Sequence, residues 1–404
     1  MKNKINVIIF GCFLGVIIGI VIWVYLYVLN ICTHVLWNYI PEQYDFRYYP
    51  IIVCTIGGLL IGLMQKKYGQ YPQELRDVIA DYKRNKTIRY DNLHIIAIAA
   101  FLPLFFGGSL GPEAGLSGMI VGLCCWFSDR IKYVSQNDID FGDIGLSATL
   151  AVIFGSPLFG LLPSTESENE NPITHKLKIV INLASVLCAL LVYMLLKKYV
   201  GGGLGISRFS GLDIDTREWI ALIPLTLFGC LLGYIFLISG KLVNKVLKPL
   251  QNYVVIKSIV GGLVLGVTGI LLSYTMFSGE EQIGEIQMNW QTISITLLLL
   301  TGFVKILITE FCFESGWRGG KIFPLIFAGT CFGYAIAAMF SINSTFSVAV
   351  ISSILLAFVM RKPIIVAMLL LLCFPLEAVL LILFGVLIGT IFPIPKILAP
   401  HEAI

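Results

Sequence analysis

The sequence predicts an all-α, polytopic membrane protein built from tilted and partial helices in two related halves. Three observations carry that prediction. Apolar residues make up 57% of the chain and charged residues only 13%, roughly half the charge of about 25% usual in soluble domains; the mean hydropathy is +0.88. Runs such as 7–29 and 177–196, the second with Lys178 as its one charge, are long and uncharged enough to cross about 30 Å of hydrocarbon. Glycine- and proline-rich breaks then interrupt the apolar sequence at comparable places in both halves.

The first run, 5–29, follows Lys2 and Lys4, yet it is too long for the core of a signal peptide and no small-residue cleavage site follows it. It reads as a retained helix. A polar segment at 33–49 carries Arg47 beside Glu42 and Asp45, and the run 48–64 follows. The next polar stretch, 65–92, is strongly basic, with Lys66, Lys67, Arg76, Lys83, Arg84, Lys86 and Arg89. Runs at 93–106, 113–128 and 144–163 come next, several of them too short to cross a bilayer alone. The acidic run from Ser164 to Asn171 reads as a solvated loop. Beyond it lie 177–199 and 217–239, then a second basic stretch with Lys241, Lys245, Lys248 and Lys257. The remaining runs are 254–276, 291–314, 321–340, 345–360, 362–374 and 376–392. Basic loops stay on the cytoplasmic side, which predicts a cytoplasmic N-terminus in a multi-pass protein of the cell membrane.

Composition also narrows the chemistry. The ten cysteines fall mostly inside apolar runs, as Cys12, Cys54, Cys124, Cys125, Cys188, Cys230 and Cys373 do, without metal-site spacing. Four scattered histidines form no cluster, and a net charge of +4 is too small to argue for nucleic acid. No cofactor, linker or soluble regulatory domain is expected, so residues 1–404 read as one transmembrane domain.

The informative breaks are Gly107-Gly108-Ser109-Leu110-Gly111-Pro112-Glu113 and Gly319-Gly320-Lys321-Ile322-Phe323-Pro324. Backbone N–H groups cannot face lipid unpaired, so irregular chain at membrane depth belongs beside a cavity. At a helix start the natural partner is an anion, drawn by free donors and the positive end of the helix dipole. Glycines there let an ion approach closely, and a proline in the first turn gives up no needed donor. Pro112 and Pro324 stand 324 − 112 = 212 positions apart, and Pro157 and Pro363 stand 363 − 157 = 206 apart. Matching interrupted segments in two halves point to a repeat-built channel or transporter with a midplane site. The halves are 5–200 and 201–396.

These residues resemble the CLC chloride channel/transporter family. Gly108-Ser109-Leu110-Gly111-Pro112 resembles its glycine–x–glutamate–glycine–proline motif, and Gly320-Lys321-Ile322-Phe323-Pro324 its glycine–lysine–x–phenylalanine–proline motif. Phe154-Gly155-Ser156-Pro157-Leu158-Phe159-Gly160 is similar to the family's next helix start, with Arg361-Lys362-Pro363 as its second-half counterpart, and Phe277-Ser278-Gly279-Glu280 also fits. The resemblance implies a homodimer, each subunit an inverted duplication with its own pore. It further implies chloride bound by the backbone N–H groups of Lys321, Ile322 and Phe323, with Gly108, Ser109, Leu110 and Gly111 along the same path. Backbone dipoles hold an ion firmly enough to replace water and weakly enough to release it.

The departures from the family pattern set the expected mechanism. Leu110 stands where the family has a gating and proton-accepting glutamate. Glu113, just past the proline, reads either as a helix-dipole cap or as a gating group facing the vestibule. Ser167 falls where the family's exchangers have a second, inner glutamate, flanked by Glu166 and Glu168. The family's central serine aligns with Gly69, beside Gln70 and Tyr71, and its C-terminal tyrosine has no match in 390–397. The expectation is therefore a passive, uncoupled channel for chloride or a similar small anion. The alternative is a chloride/proton antiporter using Glu113 and Glu166 as displaced carboxylates. An intramembrane enzyme built on Glu113, Glu166 or Lys321 is the remote third reading, because no nucleophile–base pair or nucleotide loop accompanies them.

Overall fold

The computed structural model describes residues 2–44, 46–72, 92–131, 141–159, 172–204, 207–395 and 398. Glu166, Ser167 and Glu168 lie outside them. Apolar runs without ladder partners become helices, since only a helix satisfies its own backbone in lipid. In the first half these are α1 (Lys2–His34), α2 (Tyr49–Tyr68), α3 (Leu93–Phe105), α4 (Glu113–Ile131), α5 (Phe141–Phe154) and α6 (Pro172–Tyr199). In the second they are α7 (Thr216–Leu247), α8 (Val254–Leu271), α9 (Glu280–Asn289), α10 (Ile295–Glu314), α11 (Ile322–Phe340), α12 (Ser344–Met360), α13 (Pro363–Cys373) and α14 (Val379–Ile391). Seven helical stretches among the described residues are long and apolar enough to cross a membrane. Others are short: α13 has 11 residues, about 16 Å at 1.5 Å per residue, half of a bilayer core.

Local sequence explains several boundaries. Asp215 and Glu218 form a capping box that starts α7, with the Asp215 N–H donating to Glu218 Oε2 at 2.9 Å. Glu218 Oε1 also receives the Asn343 N–H, and Asn343 itself caps α12 by accepting from Phe346. The predicted run 144–163 ends at Phe154 because Gly155 turns the chain with φ 68°. The run 254–276 ends at Leu271, where a short 3₁₀ turn, Ser273–Thr275, takes over.

Small residues set the packing, as expected where lipid gives no hydrophobic drive between helices. On α1, Gly11, Gly15 and Gly19 lie against Ile181, Ser185 and Ala189 of α6, leaving no room for a Cβ. Gly58 and Gly62 of α2 press on Ser258 and Val255 of α8, while Gly262 and Gly266 of α8 press on Cys54 and Ile51 of α2. The pairing is antiparallel, and the two glycine pairs share one offset, 262 − 58 = 266 − 62 = 204. Helix α12 is buried nearly throughout. Three helices reach it through glycines four residues apart: Gly229 and Gly233 of α7, Gly329 and Gly333 of α11, and Gly385 and Gly389 of α14. The rim is apolar and exposed, as at Ile220, Ile223, Leu227 and Leu231 along α7.

Candidate functional site

The two breaks singled out in the sequence meet. Gly111 and Gly320 exchange reciprocal backbone hydrogen bonds, each 2.7 Å, in an isolated antiparallel bridge. This contact brings the starts of α4 and α11 together inside the protein.

The first break is closed by its own bonds. The Gly107 N–H donates to Leu104 O at 3.2 Å, Gly108 to Pro103 O at 2.7 Å and Leu110 to Gly108 O at 2.8 Å. Ser109 Oγ lies 3.1 Å from Thr309 Oγ1 of α10. The Leu110 side chain is fully buried, packed where a Cβ on Gly319 would fall.

At the second break the N–H groups face a carboxylate. Glu113 is fully buried, and its Oε1 accepts the Ile322 N–H at 2.9 Å. The N–H groups of Phe323 and of Glu113 itself add to the field on that carboxylate. Oε2 has no hydrogen bond of ordinary geometry. The carboxylate is wedged against Gly111 and Gly320, where any Cβ would overlap it. The Glu113 carboxylate reaches beyond its own helix to the positive end of α11.

The other residues named from sequence surround this point. Lys321 extends away from the glycine bridge: its Nζ pairs with Glu310 Oε1 at 3.0 Å and lies 3.8 Å from the Phe313 ring centroid. The Phe323 ring lies 5.4 Å from that of Phe154, which joins the second break to the helix end at Gly155-Ser156. Ser156 Oγ in turn faces Met368 O of α13 at 3.5 Å. Gln70 is exposed and accepts from Arg318, two residues before Gly320. Gly69 and Tyr71 line a small recess with Gln65, whose side-chain amide donates to Gly316 O. Pro72 packs near Gly115 in the first turns of α4.

Sequence reasoning assigned no role to two buried ionisable residues, Lys305 and Glu280. Lys305 of α10 is fully buried and donates to the Thr275, Met276 and Phe277 carbonyls at 3.2, 3.0 and 2.6 Å. Its ammonium also lies 4.9 Å from the Phe327 ring centroid. An ionisable residue inside an apolar run is a signal in itself. Glu280, which starts α9, is buried too, with Oε1 unpartnered. Its helix is polar, so hydropathy gives no sign of it.

Broken helices whose N-termini converge on a buried, anion-like group define a class: polytopic membrane proteins that carry small ions. The chain belongs to the voltage-gated chloride channel family, the CLC proteins, whose family model it matches over residues 57–393. Among curated relatives, proteins named "Putative ion-transport protein YfeO" from Salmonella newport (strain SL254) and Salmonella typhimurium (strain LT2) are each 22% identical over 344 residues. Those alignments cover 80% of this chain and 79% of the relative. Solved structures give the same fold. A CLC-type fluoride/proton antiporter superposes with a TM-score of 0.74 at 17% identity, covering 96% of this chain and 95% of that one. A slow cyanobacterial Cl-/H+ antiporter gives 0.75 at 15% identity, covering 94% and 93%.

Proposed function

We propose that this CLC-family protein exchanges a small anion, chloride in the first instance, for protons. In this reading Glu113 is the group that competes with the anion and carries the proton. One observation supports it above all: the carboxylate takes the Ile322 N–H at 2.9 Å, at the helix start that the sequence marks for the anion. A carboxylate and a halide are alternative ligands for the same donors and the same helix dipole. With Glu113 ionised, its own charge fills the positive end of α11 and the path is shut. Protonation removes that charge, frees the N–H, and lets an anion bind. Anion binding and proton release then alternate at one position, which couples the two fluxes. Leu110 leaves the family's usual position without a titratable group, and Glu113 supplies one three residues later.

The reading treats the chain as an inverted duplication of 5–200 and 201–396. The shared offset of the glycine pairs on α2 and α8, with their antiparallel contact, supports it. The test is Glu113→Gln in reconstituted liposomes. Proton movement is expected to vanish while anion flux persists. Proton movement that survives at the wild-type ratio would remove Glu113 from the mechanism.

A further inference from the structure

We propose that Glu310 sets how tightly the anion site holds its ion, by cancelling the charge that Lys321 places beside that site. This rests on the reading above only for the position of the anion at the start of α11; proton coupling is not needed for it.

Lys321 follows Gly320 directly and precedes Ile322, whose N–H donates to Glu113. A lysine at that position brings a full positive charge next to the donors that would hold an anion. Backbone dipoles alone hold an ion weakly enough to release it, and conduction depends on that weakness. A bare ammonium adds Coulomb attraction on top. One unit charge at roughly 10 Å, in a medium of effective dielectric about 20, favours a bound anion by about tenfold. An ion held more tightly also leaves more slowly.

The fold answers that charge with a carboxylate. Glu310 of α10 is 3% exposed, and both of its oxygens accept from Lys321 Nζ, at 3.0 and 3.3 Å. The surroundings are shaped to hold the pair. A Cβ on Gly240 of α7 would press on Glu310 Oε2, and the ring of Phe236, one turn earlier, has its centroid 5.7 Å from the ammonium. The Phe313 ring of α10 lies closer, at 3.8 Å. Aromatic rings stabilise an ammonium but cancel none of its charge; the Glu310 carboxylate does. The neighbouring Arg318 also lies over Phe313, at 4.3 Å, and donates to Gln70. Helices α7 and α10 thus converge on the pair from outside the glycine bridge and draw the Lys321 side chain away from it.

A pair kept only for stability predicts something different. Breaking a buried pair from either side leaves one charge unpaired, so both losses disturb the fold in the same direction. Charge cancellation gives opposite effects on the anion. With Glu310 neutral, the Lys321 charge stands alone and chloride binds more tightly. With Lys321 neutral, the Glu310 charge stands alone and repels chloride. With both neutral the pair contributes no net charge, as in the native protein.

The experiment is calorimetric titration of chloride into four purified full-length proteins. All carry Glu113→Gln, so that no internal carboxylate competes for the donors: that parent, Glu310→Gln, Lys321→Met, and the two changes together. Glu310→Gln is expected to lower the chloride Kd about tenfold, Lys321→Met to raise it about tenfold, and the double change to return it close to the parent. In liposomes, Glu310→Gln alone is expected to lower both the KM for chloride and the maximal flux, because the ion enters readily and leaves slowly. Weaker binding in both single variants, or no change in either, overturns the inference. If Glu310→Gln fails to fold, Lys321→Met and the double change decide it: a double variant as weak as Lys321→Met contradicts cancellation. Absence of chloride binding in the parent overturns the inference together with the placement of the anion. Chloride flux without protons in wild-type liposomes overturns the exchange reading above and leaves this one standing where the affinity pattern holds.

Discussion

Glu113 and Ile322, 209 residues apart in sequence, are joined by a 2.9 Å hydrogen bond from backbone N–H to carboxylate. A side chain of the first half thus sits in the donor set of the second. That bond makes anion binding a competition with an internal charge, and its pH dependence has a definite sign. Acid protonates Glu113, weakens its hold on α11 and frees the donors, so chloride affinity rises as pH falls. Titration calorimetry across a pH series checks this. Glu113→Gln, already neutral, is expected to bind chloride with an affinity that does not vary with pH.

Gly320 is defined by what it leaves room for, since the atoms nearest a Cβ there all belong to the Glu113 carboxylate. Gly320→Ala is expected to cost about 1–3 kcal/mol through overpacking. In a Glu113→Ala background the same change is expected to cost clearly less, because the colliding atoms are gone. Thermal unfolding of the four proteins in detergent measures this coupling directly.

Lys305 satisfies three carbonyls at once, and nothing apolar of its size can replace those bonds. Each buried carbonyl left unpaired costs about 1–3 kcal/mol. Lys305→Met should therefore lower the melting temperature markedly and loosen the 273–279 loop, seen as faster backbone hydrogen exchange there.

Close helix approach through glycine makes a separate prediction far from the site. Gly15 lies against the Ser185 carbonyl, so Gly15→Leu should force α1 off α6 and reduce folded yield. Ile20→Leu on the exposed side of the same helix, 41% exposed, is expected to change little. Size-exclusion profiles of the two variants make the comparison.

Much of this arrangement was legible in the sequence because hydropathy and glycine–proline punctuation act locally. The runs 93–106 and 321–340 nearly coincide with α3 and α11, and both glycine breaks end at helix starts. What was not legible depends on contacts across the chain. Hydropathy carries no sign of α9, because a polar ten-residue helix buries one face through tertiary packing rather than through composition. The N–H groups of the first break looked available for an anion, yet those of Gly107, Gly108 and Leu110 go to the Leu104, Pro103 and Gly108 carbonyls nearby, and that of Gly111 goes to Gly320 O. Glu113 read either as a cap or as a gating group because its reach to Ile322 exists only once Gly111 has paired with Gly320.

The central claim is that anion flux and proton flux share one gate. Its most direct test is to load liposomes containing the wild-type protein with chloride, start efflux, and record external chloride and pH together, repeating the run with fluoride. The account predicts proton movement in fixed proportion to anion movement, reversing when the imposed gradient is reversed. Steady anion efflux with no proton movement would contradict it and leave a passive channel whose uncoupling follows from Leu110.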